Sequence, residues 1–234
     1  MSDKPTVLLV PGLLCDETVW QSTLAALEGE CDVRVADLST QDNLTVMAED
    51  LLAATPGALC VIGHSMGARV AMEMARLAPD RVVRLALLDT GIHPLKEGEP
   101  EKRAEIVAFA HENGMSALAE RWLPGMVHPD RHGDADLMGA LKRMVEAKNP
   151  ALHERQIKAL VNRPDASAYL GEIACPTLLL VGRQDAWSPV SQHEDMRRLL
   201  PDSRLAIIED AGHFAPVERP DEVAKILRDW VLAG

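Results

Sequence analysis

One serine, one histidine and one aspartate lie in short glycine-containing segments, each directly after an apolar run. Ser65 lies in Gly63-His64-Ser65-Met66-Gly67, which follows the apolar run 58–62 and precedes a helical pattern over 66–77. A strand-to-helix turn of this kind exposes the serine hydroxyl at the strand tip, and its glycines let neighbouring backbone approach closely. The segment therefore predicts a nucleophilic Ser65 at a helix N-terminus, where developing negative charge is favoured.

A serine hydroxyl is a weak nucleophile until an adjacent base activates it. His213, which follows the last apolar run, is the predicted base, because histidine titrates near neutral pH. Such a base needs a carboxylate to orient it, and Asp185, after the fifth run, is the predicted acid. Asp89, at the end of the fourth run, is the rival acid. We interpret Ser188, rather than Asp185, as the N-cap of the following helix.

The elements that must position these groups alternate along the chain. Apolar runs predict strands over 6–10, 33–36, 58–62, 82–88, 177–181 and 205–208, and amphipathic patterns between and after them predict helices. Near-continuous apolar strands alternating with helices indicate a parallel sheet covered on both faces. Right-handed crossovers bring the strand carboxyl ends to one edge, where ligands bind. The three reactive residues are therefore expected at that edge.

The alternation of strands and helices stops between residues 91 and 170. Four helical stripes occupy this stretch, which follows the fourth strand at the reactive edge. We expect it to be a helical cap over the site, with residues 1–90 and 171–234 forming the core.

Composition excludes several classes of partner. The chain of 234 residues carries a net charge of -12, with 47% hydrophobic and 26% charged residues. An acidic surface repels phosphate backbones and anionic lipid, so we expect a small-molecule substrate and neither nucleic acid nor membrane. We expect a monomer or homodimer. No signal peptide, membrane span, metal cluster or cofactor motif is evident, which predicts a cytoplasmic protein with no cofactor and no metal.

The motifs together resemble the α/β-hydrolase superfamily over nearly the whole chain, and specifically its small, capped serine esterase and lactonase members. They are Pro11-Gly12-Leu13-Leu14, the nucleophile elbow 63–67, Gly182-Arg183-Gln184-Asp185 and Gly212-His213. The resemblance implies an α/β fold with a mostly parallel six-stranded sheet flanked by helices. The chain begins almost at the first strand, so the N-terminal hairpin of many members is expected to be missing. Pro11-Gly12 also replaces the His-Gly of many members.

The resemblance also implies a catalytic triad of Ser65, Asp185 and His213 and an oxyanion hole. The backbone N–H groups of Met66 and Leu13 are the predicted oxyanion donors, with Leu14 as the next choice after Leu13. Because the nucleophile position holds serine, the dehalogenase and epoxide hydrolase activities of carboxylate-bearing members are not expected.

Residues beside the predicted catalytic loops and in the cap are the candidate substrate contacts. They are Leu14, His64, Trp122, Met126, Trp187 and Phe214. Packing inside the cap is the alternative for Trp122 and Met126, and support of the acid loop is the alternative for Trp187. Arg163 and Asp165 lie where the cap returns to the core, as a hinge, a salt bridge or a polar selector.

Three functions are compatible with this set of residues. The leading prediction is a serine hydrolase that cleaves a small carboxylic ester, lactone or thioester through a Ser65 acyl-enzyme. The second is a carbon–carbon bond hydrolase or lyase that uses the same triad. The third is a ligand-binding sensor on a hydrolase scaffold. The natural substrate is left open.

Overall fold

A six-stranded parallel sheet forms the centre of the computed structural model, which describes residues 6–233. The strand order is β2-β1-β3-β4-β5-β6, and every neighbouring pair is parallel. The strands are β1 (Thr6–Val10), β2 (Val33–Val35), β3 (Leu59–His64), β4 (Val82–Leu88), β5 (Thr177–Gly182) and β6 (Ser203–Ile208). The predicted fold class is therefore confirmed. Residues 1–5, on which the signal-peptide prediction depends, lie outside the described residues.

Helices cover both faces of this sheet. In chain order they are α1 (Gln21–Leu27), α2 (Leu44–Ala54), α3 (Met66–Leu77), α4 (Glu99–Trp122), α5 (Ala135–Glu146), α6 (Pro150–Val161), α7 (Val190–Leu199), α8 (Ala215–Glu218) and α9 (Pro220–Leu232). No helix within residues 6–233 is long and apolar enough to cross a membrane.

The period of two along the strands divides the core between the two faces. On β1, Val7 and Leu9 belong to the apolar cluster that contains Trp20 of the turn before α1 and Trp230 of α9. Leu8 and Val10 belong to a second cluster, with residues of α2 and α3. A buried parallel sheet needs apolar side chains on both faces, which explains the continuous apolar runs in the sequence.

The cap segment, residues 91–170, contains α4, α5 and α6, and α4 packs against both of the others. Helix α4 bends at Gly114, whose φ of 80° is outside the helical range. Arg163 holds the two ends of the cap segment together. It forms a bidentate ion pair with Glu99, at 2.8 and 2.7 Å, and donates to the carbonyls of His93 and Pro94. Arg163 is thus a salt bridge at the junction.

Two local expectations changed in the structure. Strands β3 and β5 run on to His64 and Gly182, so the reactive loops begin directly at the strand ends. The prediction that Ser188 caps α7 is wrong. Pro189 is the N-cap, without a side-chain hydrogen bond, and the Ser188 N–H donates to Asp185 instead. Asp165 caps the short turn Ala166–Ala168 by accepting from the Ser167 N–H.

Candidate active site

Ser65 lies in a strained turn between β3 and α3. Its φ of 55° and ψ of -115° are outside the regions that residues with a side chain normally adopt. Two glycines make the turn possible. A Cβ on Gly67 would lie 2.1 Å from the Val10 carbonyl oxygen, and one on Gly63 would lie 2.5 Å from the Ala68 Cα. The turn therefore holds the serine at the carboxyl edge of the sheet, at the start of a helix.

Ser65, His213 and Asp185 form a continuous hydrogen-bonded chain. His213 Nε2 lies 2.8 Å from Ser65 Oγ, and His213 Nδ1 lies 2.8 Å from Asp185 Oδ2. The carboxylate accepts a hydrogen bond from Nδ1–H, which leaves Nε2 unprotonated and able to take the hydroxyl proton of the serine. The structure thus brings the three predicted catalytic residues together.

Asp185 is held as a carboxylate by its surroundings. Its Oδ1 accepts from the backbone N–H groups of Trp187 at 2.8 Å and Ser188 at 2.9 Å. Burial alone raises the pKa of Asp185, but the His213 ring and these two donors outweigh it and bring the pKa below its usual value.

Asp89, the rival acid, lies close enough to Asp185 for the two charges to interact, but among the described residues it is Asp185 that hydrogen-bonds the His213 ring. Its Oδ1 accepts from the Gly182 N–H at 2.9 Å, and its Oδ2 has no hydrogen-bond partner among the described residues. Burial, and then the negative charge of Asp185, raise the pKa of Asp89 well above its usual value. Two nearby carboxyl groups in one buried site do not both ionise easily, so the protonated form is favoured at Asp89 and the ionised form at Asp185.

The His213 loop is anchored by three groups that the sequence did not reveal. His64 Nε2 lies 2.7 Å from the His213 carbonyl, and burial lowers the pKa of His64 to about 3, so it is neutral and donates. The His213 N–H donates to the Met126 carbonyl at 2.8 Å. Glu218, which is 2% exposed, accepts from the N–H groups of Gly212, Phe214 and His128. The one sequence feature that could have pointed to Glu218 is its position, five residues after the loop histidine.

The two predicted oxyanion donors differ from Leu14, the alternative donor, in their hydrogen bonding among the described residues. The Leu14 N–H donates to Gln156 Oε1 at 2.8 Å, so that alternative donor is already engaged. Among the described residues, neither Leu13 nor Met66 donates its backbone N–H to a protein atom. Gly12 brings the first loop against the nucleophile, because a Cβ on it would lie 3.1 Å from Ser65 Cβ.

Of the six predicted substrate contacts, five are buried or half-buried and one, Trp187, is exposed. His64, Phe214 and Leu14 are each 1% exposed, and the His64 and Phe214 rings stack at 5.5 Å behind the His213 loop. Trp122 meets Phe214 edge-on at 6.2 Å from the cap segment, and Met126 is buried. Trp187 is 52% exposed. Substrate contact stays a prediction for all six.

In the part of the chain that the structure describes, no group of three or more His, Cys, Asp or Glu residues is arranged to hold a metal ion. A cleft of about 360 Å³ lies beside the first loop, and Cys15, Lys148 and Gln156 are among its lining residues, whereas the triad is not.

The chain matches the Alpha/beta hydrolase family over residues 7–226. It is 26% identical to a pimeloyl-[acyl-carrier protein] methyl ester esterase of Aromatoleum aromaticum, over 98% of this chain and 99% of that one. It is 28% identical to RutD of Escherichia coli O127:H6, named for carbamate hydrolysis, over 97% of this chain and 91% of that one. A solved thermophilic esterase from Thermogutta terrifontis is 30% identical, with a TM-score of 0.88, over 97% of this chain and 89% of that one.

These matches and the parallel sheet define the chain as an α/β-hydrolase. The chain belongs to the Alpha/beta hydrolase family, and its predicted resemblance to esterase members is confirmed. The predicted enzyme class, an α/β-hydrolase of the carboxylic ester hydrolase type, is confirmed at that level.

Proposed function

We propose that the protein hydrolyses a small carboxylic ester, lactone or thioester through an acyl-enzyme on Ser65. The observation that carries the proposal is the chain of two 2.8 Å contacts from Asp185 through His213 to Ser65 Oγ. The esterase names of two similar proteins, from Aromatoleum aromaticum and Thermogutta terrifontis, support an ester as the substrate class.

The reaction follows from the position of each atom. His213 Nε2 takes the hydroxyl proton as Ser65 Oγ attacks the substrate carbonyl. The oxyanion that forms lies between the N–H groups of Leu13 and Met66. The intermediate expels the alcohol or thiol, which receives its proton from His213. Water then attacks the acyl-enzyme with His213 as base. The bond from the acyl carbon to Ser65 Oγ breaks, Oγ takes the proton back from His213, and the carboxylic acid leaves.

We further propose that residues 91–170 act as the cap of a site for small molecules. Met126 and Gln156 of this segment hydrogen-bond the His213 loop and the loop after β1, so the segment reaches both sides of Ser65.

Cys15, Cys60 and Cys175 are free cysteines, which supports the predicted cytoplasmic location.

The test is labelling with a fluorophosphonate probe, followed by intact mass measurement of wild type and Ser65→Ala. We expect one adduct on the wild type, none on Ser65→Ala, and hydrolysis in a panel of esters, lactones and thioesters only by the wild type. If the wild type is neither labelled nor active, an acyl-enzyme on Ser65 is refuted. The carbon–carbon cleavage and sensor hypotheses then become the leading ones.

A further inference from the structure

The loop after β1 is a tight turn whose geometry exposes one N–H group. The Cys15 N–H donates to the Gly12 carbonyl at 3.1 Å, and Leu14 adopts a φ of 58°. A positive φ is uncommon for a bulky residue, so this turn needs support from outside. The Gly12 carbonyl belongs to the same peptide unit as the Leu13 N–H. Because Cys15 holds the carbonyl on one side, the trans peptide directs the Leu13 N–H to the other side.

The support comes from the cap segment. Gln156 of α6 is 3% exposed, and its two amide atoms are both engaged. Its Oε1 accepts from the Leu14 N–H at 2.8 Å, and its Nε2 donates to the Leu38 carbonyl at 3.2 Å. The Leu13 carbonyl, in the same peptide unit as the Leu14 N–H, accepts from Cys15 Sγ at 3.3 Å. Both ends of the Leu13–Leu14 peptide are therefore held.

We propose that Gln156 is a positioning residue for the oxyanion hole, which acts by holding the Leu14 N–H so that the Leu13 N–H stays available at Ser65. The inference rests on the proposed ester hydrolysis and extends it, because it makes a cap residue part of transition-state stabilisation. The effect passes through the backbone of the loop, from the Leu14 N–H to the Leu13 N–H.

The test compares Gln156→Leu and Gln156→Glu with a matched control on the same helix. Gln156→Leu removes both hydrogen bonds at similar volume, whereas Gln156→Glu keeps an oxygen that accepts from the Leu14 N–H and loses the donor to the Leu38 carbonyl. Arg155→Met is the control, because Arg155 donates from α6 to the Ser39 carbonyl at 2.9 Å and does not contact the Gly12–Cys15 turn. Thermal melts establish that each variant is folded.

Loss of one oxyanion donor lowers kcat by about 100- to 1,000-fold in other serine hydrolases, so we expect a kcat loss of roughly 10- to 100-fold for Gln156→Leu. KM for the same ester is expected to change by less than about threefold, because the contact acts in the transition state. A trifluoromethyl ketone, which forms a tetrahedral adduct with serine, should lose affinity in parallel with kcat/KM. Gln156→Glu, which keeps only the hydrogen bond from the Leu14 N–H, should recover part of kcat, and Arg155→Met should keep it.

The outcomes separate the two proposals. If Ser65→Ala abolishes turnover and Gln156→Leu keeps wild-type kcat and ketone affinity, the positioning role is refuted and the ester hydrolase stands. Equal losses in Gln156→Leu and Arg155→Met also refute it, because they indicate weaker cap docking alone. If the wild type shows no Ser65-dependent turnover, both proposals are refuted.

Discussion

Replacement of Asp185 by asparagine tests which atom of His213 carries the proton. In the native site, Asp185 Oδ1 accepts from two backbone N–H groups, of Trp187 and Ser188, and Oδ2 faces His213 Nδ1. Asparagine must keep its amide oxygen toward the two N–H donors, because its NH2 group cannot accept from them. The NH2 group then faces Nδ1, which must accept. The ring proton moves to Nε2, where it faces Ser65 Oγ and prevents proton abstraction.

The expected cost follows from this tautomer. A triad base held in the wrong tautomer loses about 10⁴-fold in kcat, and at 1.36 kcal/mol per tenfold step this is about 5.4 kcal/mol. The two backbone hydrogen bonds survive, so the thermal melting temperature should change little. The assay is kcat and KM for an ester that the wild type hydrolyses, together with the rate of fluorophosphonate labelling.

The matched control is Asp89→Asn. Asp89 is fully buried, and burial and the charge of Asp185 raise its pKa, which favours the protonated form, so an uncharged amide of the same shape replaces it closely. We expect kcat to stay within about threefold of wild type. The opposite pattern, with activity lost in Asp89→Asn and kept in Asp185→Asn, would show that Asp89 is the acid and that this reasoning is wrong.

Three further predictions concern stability. Gly67→Ala should lower the free energy of unfolding by about 3 kcal/mol or more, because its Cβ would meet the Val10 carbonyl oxygen at 2.1 Å. Gly125→Ala, whose Cβ would have nothing within 4 Å, is the control and should not lower it. Equal urea midpoints for the two variants would contradict this. Glu218→Ala should leave three buried N–H groups unpaired and cost about 3 kcal/mol, or roughly 6–12 °C in Tm; an unchanged melting curve would argue against the anchor. The pKa of Asp89 is raised in the folded state, so the stability that this group contributes is present at low pH. That stability is lost as the pH rises from the ordinary aspartate pKa to the raised one. Asp89→Asn should flatten that part of the Tm–pH curve, and identical curves would exclude a protonated Asp89.

Several elements of the fold were predictable from the spacing of apolar residues along the chain. Helix α3 and strand β4 have the bounds that the sequence predicted, because the spacing of apolar residues is a property of neighbouring residues. The grouping of Ser65, His213 and Asp185 also followed. In a parallel sheet, the connections force all strand carboxyl ends to one edge, so three groups that each follow a strand are expected at that edge.

Contacts between distant segments were not available from the sequence. Gln156 and Leu14 are 142 positions apart, and nothing in either segment indicates that an amide side chain meets a backbone N–H. Glu218 likewise looked like an ordinary helix acid, and its burial against three backbone donors depends on how the His213 loop folds back.

The sequence by itself determined the family, the parallel sheet, and Ser65 and His213 as members of the candidate triad, since these depend on residue type, spacing and order. Only the tertiary structure decided between Asp185 and Asp89 as the partner of His213, because that choice depends on which carboxyl group lies within hydrogen-bond distance of His213 Nδ1. It also showed which backbone N–H groups stay free at Ser65. Hydrogen-bond partners are assigned by packing in three dimensions, and a linear pattern carries no record of that packing.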